Sequence, residues 1–268
     1  MSARRPARAQ IHRVSAERLL ATLPDRSADV LVTDPPYLTV DRHSTNGHLR
    51  DWFPKGLAWP AIGRVLAIAR RKLKPDGIAF VMTNAAGLRE AITALEHAGF
   101  RDVRPITWDR QSPGLGLGLR HQTEFILVGR LPGSRTLTGT DLVSVAAVGP
   151  GTAGRYPTQK PEGLGRALAR MAGVGPGQLV VDPFCGSGAL LVGALERGAT
   201  IVAGDIAPRA IRQATERLVG SAPGGSGRSP GGSGRSPAGS GRPAPRRTPP
   251  SNPRPAPRRR LRRPGGRP

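Results

Sequence analysis

From Ala28 to Leu218 short apolar runs alternate with longer stretches of helical spacing, and this alternation narrows the fold more than any other feature. Strands are expected at Ala28 to Thr33, Ile78 to Thr83, Val103 to Trp108, Phe125 to Gly129, Leu179 to Asp182 and Thr200 to Asp205. Helices are expected at Ala61 to Leu73, Leu88 to His97, Gly163 to Ala172, Ala189 to Arg197 and Pro208 to Leu218. In the first helix Ile62, Val65, Leu66, Ala69 and Leu73 form one apolar stripe. Lys74-Pro75-Asp76-Gly77 reads as a turn, and Gly99 as a helix stop. The pattern implies an α/β domain around a doubly wound, mostly parallel sheet, with antiparallel additions where strands lie close together near 103–129.

The last 48 residues break the pattern. Residues 221–268 hold 12 Arg, 12 Pro and 10 Gly, no Lys and no acidic residue. The heptapeptide Gly-Gly-Ser-Gly-Arg-Ser-Pro occurs at 224–230 and again at 231–237. Such a segment buries too little apolar surface to offset its ordering entropy, so a disordered tail is expected there. Two readings stand: a nucleic-acid arm acting through phosphate contacts, or a drifted extension with no role of its own. A disordered basic segment is also expected over residues 1–10, which leaves 11–220 as the folded domain.

Charge is lopsided even without the tail. The whole chain carries 41 Lys+Arg against 18 Asp+Glu, or +23, and removing the tail leaves 29 − 18 = +11. A field of that sign suits a polyanion, either nucleic acid or an anionic membrane surface. No uncharged apolar run approaches the roughly 18 residues a membrane span needs. No apolar segment follows Arg4, Arg5 and Arg8 as it would in a secretory leader, so a cytoplasmic location is expected. The single cysteine, Cys185, excludes an intrachain disulfide and a multi-cysteine zinc site; the five histidines show no metal-ligand spacing, so no metal is expected.

Two motifs carry chemistry. Asp182-Pro183-Phe184-Cys185-Gly186-Ser187-Gly188 lies between a strand and a helix, where glycines admit a ligand close to the backbone and a helix start offers unpaired N–H groups. Asp205 follows Asp182 by 23 residues, at the end of the next strand. That spacing suits an acid accepting bonds from the ribose of an adenosine-containing ligand. A Gly-Lys-Ser/Thr phosphate loop is missing, which leaves nucleoside triphosphate hydrolysis without support. The second motif, Asp34-Pro35-Pro36-Tyr37, follows the first strand. Its prolines stiffen the backbone, so the Pro35 carbonyl is expected to face outward beside the Asp34 carboxylate, above the flat ring of Tyr37. Two acceptors over an aromatic ring fit an exocyclic amine on a planar base. The plainer reading is a turn capped by Asp34.

On these residues the chain resembles the S-adenosylmethionine-dependent DNA amino-methyltransferases of the β group, in which the Asp-Pro-Pro-Tyr block precedes the Phe-x-Gly-x-Gly block. The likeness runs from about Ile11 to Leu218. It also takes in the lead from Leu23 to Tyr37, the turn from Arg70 to Gly77, His121-Gln122-Thr123-Glu124-Phe125, and Thr158-Gln159-Lys160-Pro161. The resemblance implies a Rossmann-like methyltransferase fold with S-adenosyl-L-methionine as cofactor. Phe184, Gly186, Ser187 and Gly188 would cradle it, with Phe184 near the adenine or the sulfonium. Asp182 would lie near its methionine end, Asp205 on its ribose, and Thr158 and Lys160 against its methionine part. Asp34 and the Pro35 carbonyl would hold the target amine of an extruded base, with Pro36 shaping the turn and Tyr37 stacking on the base. Double-stranded DNA is the implied partner and adenine N6 the leading acceptor, because the block begins with Asp; cytosine N4 is the alternative. The resemblance leaves room for a homodimer and for a cognate nuclease encoded elsewhere.

Three rivals stand beside it. An RNA or protein-amide methyltransferase shares the amine logic but usually has the two blocks in reverse order. A non-catalytic DNA-binding protein on a decayed methyltransferase scaffold is favoured slightly by two departures from the pattern and opposed by the intact Asp34, Tyr37, Gly186 and Gly188. Val14-Ser15 replaces the family's Gly-Asp, and the segment at 131–155, where a target-recognition region is expected, is short. A nucleotide-dependent oxidoreductase leaves Asp34 to Tyr37 unexplained. Arg42, His43, Asn46, His48 and Arg50, after Tyr37, read the DNA or form a solvated flap. Trp52, Phe53 and Trp59 stack on nucleotides or cap the core edge. Cys185, inside the cofactor loop and without a Pro-Cys arrangement, reads as a packing residue rather than a nucleophile.

Overall fold

The computed structural model describes residues 9–37, 56–114, 118–148 and 159–220. At its centre lies β2 (Ala28–Thr33), all six residues of which are buried. A strand covered on both faces calls for parallel neighbours and crossover helices. Those neighbours are β3 (Leu73–Thr83) on one side and β7 (Leu179–Asp182) on the other. The sheet is completed by β1 (Ala9–Arg13), β4 (Arg101–Asp109), β5 (Thr123–Arg130), β6 (Leu142–Ser144) and β8 (Thr200–Asp205). Its order is β1-β8-β7-β2-β3-β5-β4-β6. Seven strands share one direction, and β5 runs against both β3 and β4. The fold is thus the expected doubly wound α/β sheet, with its antiparallel pairs at β3–β5 and β5–β4.

Successive side chains alternate between the two faces, as the period of a strand requires. Leu31, Ala79 and Val81 pack beneath α1 (Ala16–Ala21), α2 (Trp59–Lys72) and α3 (Leu88–His97), with Leu20, Ile62, Leu66, Leu95 and Phe100. Val30, Val32, Ile78 and Phe80 face the other layer, built from α4 (Glu162–Met171), α5 (Val192–Glu196) and α6 (Pro208–Leu218). Burying each such large aliphatic contributes about 1.5–3 kcal/mol. The second layer is drawn tight by glycine. A Cβ on Gly165 would stand 2.4 Å from the Leu190 carbonyl oxygen, and one on Gly193 would stand 2.4 Å from Arg166 Cα.

The structure departs from the sequence reading in several places. β1 starts at Ala9, two residues before the expected domain boundary, because Ala9–Arg13 adds to the edge of β8. Lys74 to Gly77 belongs to β3. Pairing passes from Ala28↔Leu73 to Val30↔Ile78, so the extra residues sit in a bulge instead of a free turn. Buried Asp29 anchors that bulge by accepting Lys74 Nζ at 2.9 and 3.0 Å and Arg135 Nη2 at 3.2 Å. The expected helix from Ala189 begins as a 3₁₀ turn over Ala189–Leu191 and is α-helical only from Val192 to Glu196. Among the described residues no helix is long and apolar enough to cross a membrane. Residues 1–8 and the tail at 221–268 lie outside the described residues.

Candidate functional site

β2 and β7 are neighbours, yet the chain leaves β2 for α2 and β3 on one face and leaves β7 for α5 and β8 on the other. In open α/β sheets a crevice forms at the carboxyl ends of two such strands. Asp34 follows β2 at this point, and Asp182 ends β7. The two strand ends are joined directly: the buried Thr33 hydroxyl donates to Asp182 Oδ1 at 2.7 Å.

On the β7 side the glycine turn is held by its own groups and by residues of β2, β8 and α6. Asp182, 1% exposed, accepts from Thr33 and from the Phe184 N–H at 3.0 Å. Burial outweighs those bonds and pushes its carboxyl up to about 8. Asp205 Oδ2 accepts the Gly186 N–H at 3.0 Å and Oδ1 the Ala207 N–H at 2.8 Å, while burial raises its pKa. The Cys185 N–H donates to the Gly204 carbonyl at 2.9 Å, and that of Gly188 to the Cys185 carbonyl at 2.8 Å. The N–H groups of Phe184, Cys185, Gly186 and Gly188 are paired within the turn and its supporting strand. Asp205 still has lone pairs for further donors, since each carboxylate oxygen accepts more than one bond.

Several side chains fix this turn from behind. Gly188 has φ +75°, and a Cβ there would stand 2.9 Å from Leu218 Cδ1, so glycine answers both backbone and packing. The Ser187 carbonyl accepts Arg217 Nη1, and Arg217 Nε reaches Glu162 Oε1 at 3.1 Å, tying the turn to the start of α4. Ser187 is buried, and Phe184 is half-buried against the α1–α3 layer. Cys185 is a buried free thiol whose pKa rises with burial, which fits packing and opposes nucleophilic use.

On the β2 side the Pro35 carbonyl accepts the Tyr37 N–H at 2.8 Å and the Pro36 carbonyl accepts that of Leu57 at 2.7 Å. The turn thus closes on itself, and the Pro35 carbonyl keeps one lone pair for a further donor. Tyr37 stacks on Trp59 with ring centroids 5.6 Å apart and planes 12° from parallel. Burial and then the nearby Asp34 charge push the Tyr37 phenol well above its usual range, so it stays neutral. Trp59 is 7% exposed, a core-edge residue, and its Nε1 has no hydrogen-bond partner among the described residues.

Asp34 is paired. Lys160 Nζ donates to its Oδ2 at 2.6 Å and lies 3.5 Å from Glu124 Oε2, whose other oxygen is 3.4 Å from Arg110 Nη1. Arg110 in turn sits 5.9 Å from the centroid of the Trp108 ring. Burial works against the Lys160 charge, but Asp34 and then Glu124 outweigh it and hold the ammonium above the usual lysine range. The reversed direction of β5 explains this cluster. It brings Glu124, at the start of β5, to the edge where β2, β3 and β4 end. Lys160 arrives there because it precedes Pro161, the N-cap of α4.

Asp34, Tyr37, Lys160, Asp182, Phe184, Gly186, Ser187, Gly188 and Asp205 thus all belong to the described carboxyl edge. Thr158, Arg42, His43, Asn46, His48, Arg50, Trp52 and Phe53 lie outside the described residues. Glu124 and Arg110 were not singled out as site residues; the only sequence signal was the block from His121 to Phe125. Ser15 caps α1, its Oγ accepting the Arg18 N–H at 3.4 Å, while the Val14 N–H donates to the Asp205 carbonyl at 3.1 Å. Part of the segment at 131–155 is tied to the sheet: β6 pairs with β4, and Trp108 Nε1 donates to the Val145 carbonyl at 2.8 Å. Among the described residues no three His, Cys, Asp or Glu gather as metal ligands.

Comparison with known proteins agrees with this geometry. Residues 155–221 match the family described as "RMKL-like, methyltransferase domain". The Type II methyltransferase M2.DpnII of Streptococcus pneumoniae is 28% identical over 232 residues, covering 75% of this chain and 86% of that protein. TTHA0409 of Thermus thermophilus, named as a DNA modification methylase, is 25% identical with a TM-score of 0.58, covering 81% of this chain and 97% of its own. Its complex with S-adenosyl-L-methionine aligns at a TM-score of 0.60 and 24% identity, covering 81% and 95%. The cytosine-N4-specific PvuII DNA methyltransferase shares the fold at a TM-score of 0.64 and 17% identity, covering 80% and 87%. The Rossmann-like methyltransferase fold is therefore the fold of this chain.

Proposed function

We propose that this chain is an S-adenosyl-L-methionine-dependent DNA methyltransferase that acts on an exocyclic amine, with adenine N6 as the acceptor. One observation carries the reading: the Asp34 turn and the glycine turn with Asp205 stand on adjacent strands at the point where the sheet reverses, joined by the Thr33–Asp182 bond. An adenosine site and an amine site side by side are what methyl transfer needs. The likeness to Type II and DNA modification methylases supports the same reading.

The residues present suit the cofactor. Asp205 can accept ribose hydroxyls on its remaining lone pairs, and the glycines of the turn keep side chains out of its path. Lys160, with Thr158 two residues before it, supplies a cation for the methionine carboxylate; Phe184 offers an apolar wall, and Asp182 braces the turn. When bound, S-adenosyl-L-methionine supplies a methyl group on a sulfonium, so that an N–C bond forms as the S–C bond breaks. The protein's part is alignment and acceptors. Asp34 orients the amine and favours positive charge growing on its nitrogen; the sulfur would leave as the neutral thioether S-adenosylhomocysteine and the nitrogen's surplus proton would pass to solvent. The neutral Tyr37, backed by Trp59, gives the extruded base a flat surface. Extrusion is required because the amine cannot reach the methyl group inside a duplex. The +11 on residues 1–220 favours contact with phosphates.

The test is transfer of labelled methyl groups from S-adenosyl-L-methionine to unmethylated duplex DNA and to RNA, with Asp34→Ala beside the wild type. Label in DNA that vanishes in the variant supports the proposal. Label in RNA alone, or equal label with the variant, overturns it.

A further inference from the structure

The carboxylate that should receive the target amine already holds a cation. Lys160 Nζ lies 2.6 Å from Asp34 Oδ2, and its side chain is 11% exposed. A protonated amine on Oδ2 takes one of the two oxygens an exocyclic amine would use and offsets the carboxylate's charge, so Asp34 is a weaker acceptor for a base while the pair is intact. We propose that Lys160 controls access to Asp34: its ammonium rests on Asp34 in the free protein and moves to the carboxylate of the cofactor when that binds, leaving Asp34 open. This inference rests on the proposed methyltransferase reading. It adds a favoured order, cofactor first and base second, and a residue that sets it.

The neighbouring charges make the exchange one-sided. Glu124 lies between Lys160 at 3.5 Å and Arg110 at 3.4 Å, so it keeps a cation when Lys160 departs. Among the described residues Asp34 has no second ion-pair partner. Departure of Lys160 therefore leaves one carboxylate uncompensated, and it is the one facing the amine. The main chain of Lys160 is fixed by Pro161 at the start of α4, while its four-carbon stem can redirect the ammonium. Lys160, with its side chain 11% exposed, loses charge compensation if it leaves Asp34 alone, so its departure is disfavoured until an incoming carboxylate receives it. Linkage makes the coupling reciprocal: whatever draws Lys160 away strengthens amine binding, and an amine on Asp34 strengthens cofactor binding.

Calorimetry on the full chain without DNA tests this, using S-adenosylhomocysteine and 5′-methylthioadenosine as probes. The second lacks the amino-acid carboxylate. Asp34→Asn removes the competing charge, so S-adenosylhomocysteine should bind roughly five-fold tighter or more, while 5′-methylthioadenosine is unchanged. In a Lys160→Met background the same substitution should bring no gain, and Lys160→Arg, which keeps the cation, should retain it. An unchanged affinity in Asp34→Asn, or a gain that persists with Lys160→Met, overturns the inference and leaves the methyltransferase reading standing. A folded wild type that binds neither probe overturns both.

Discussion

The Thr33 hydroxyl donates to Asp182 Oδ1 at 2.7 Å, with both residues buried, and thereby couples the strand that carries the Asp34 turn to the strand that carries the glycine turn. Thr33→Val keeps the shape and removes the donor. Loss of a buried hydrogen bond of this kind costs about 1–3 kcal/mol. The same variant should bind S-adenosylhomocysteine more weakly, because Asp182 also braces the Phe184 N–H. Urea denaturation and calorimetry on one preparation check both effects. A stable variant with wild-type affinity would show that the strands need no such tie.

Asp182 also predicts a pH dependence. Burial raises its carboxyl from 3.8 to about 8 in the folded protein. Between these values the folded state holds a proton that the unfolded chain has lost, so this group's contribution is complete below about pH 4 and is lost as pH rises through about 8. Asp182→Asn cannot lose that proton. Its unfolding free energy should therefore fall less between pH 5 and pH 8 than that of the wild type. Parallel curves for the two proteins would contradict the assignment.

These relationships mark where the sequence was legible. The apolar runs of β2, β7 and β8, the glycine turn and Asp34 to Tyr37 follow from local pattern, because buried parallel strands and tight turns have strong composition signals. β1, with three polar or charged residues at Gln10, His12 and Arg13, and β6, with three residues, lie on sheet edges and carry almost none. The Asp34–Lys160–Glu124–Arg110 chain was hidden for a different reason. It depends on β5 running backwards between β3 and β4, and strand order is a tertiary property. The Pro35 carbonyl accepts the Tyr37 N–H two residues on, a local bond that the motif pattern did not reveal.

Gly188→Ala should destabilise the protein by about 1–3 kcal/mol, combining a left-handed backbone with overpacking against Leu218. The same change displaces the turn that faces the cofactor, so weaker S-adenosylhomocysteine binding should accompany it. Denaturation midpoint and binding constant are the readouts, and an unaffected midpoint would rule out the packing argument.

Trp59 backs the ring of Tyr37, and its removal should be felt at the base. Trp59→Leu should raise KM for DNA more than it lowers affinity for S-adenosylhomocysteine, and Trp59→Phe should recover much of the loss by restoring a stacked ring. Steady-state kinetics against DNA concentration, with binding measured separately, would resolve the two. Equal loss in both variants would assign Trp59 to packing alone.

The most direct measurement is nucleoside-resolved mass spectrometry of genomic DNA from a methylation-deficient host expressing either the wild type or Asp34→Ala. The account predicts N6-methyladenine with the wild type and none with the variant. N4-methylcytosine in the same pattern would correct the base and keep the site. DNA free of both modifications, from cells containing folded wild-type protein that binds S-adenosyl-L-methionine, would contradict the central claim.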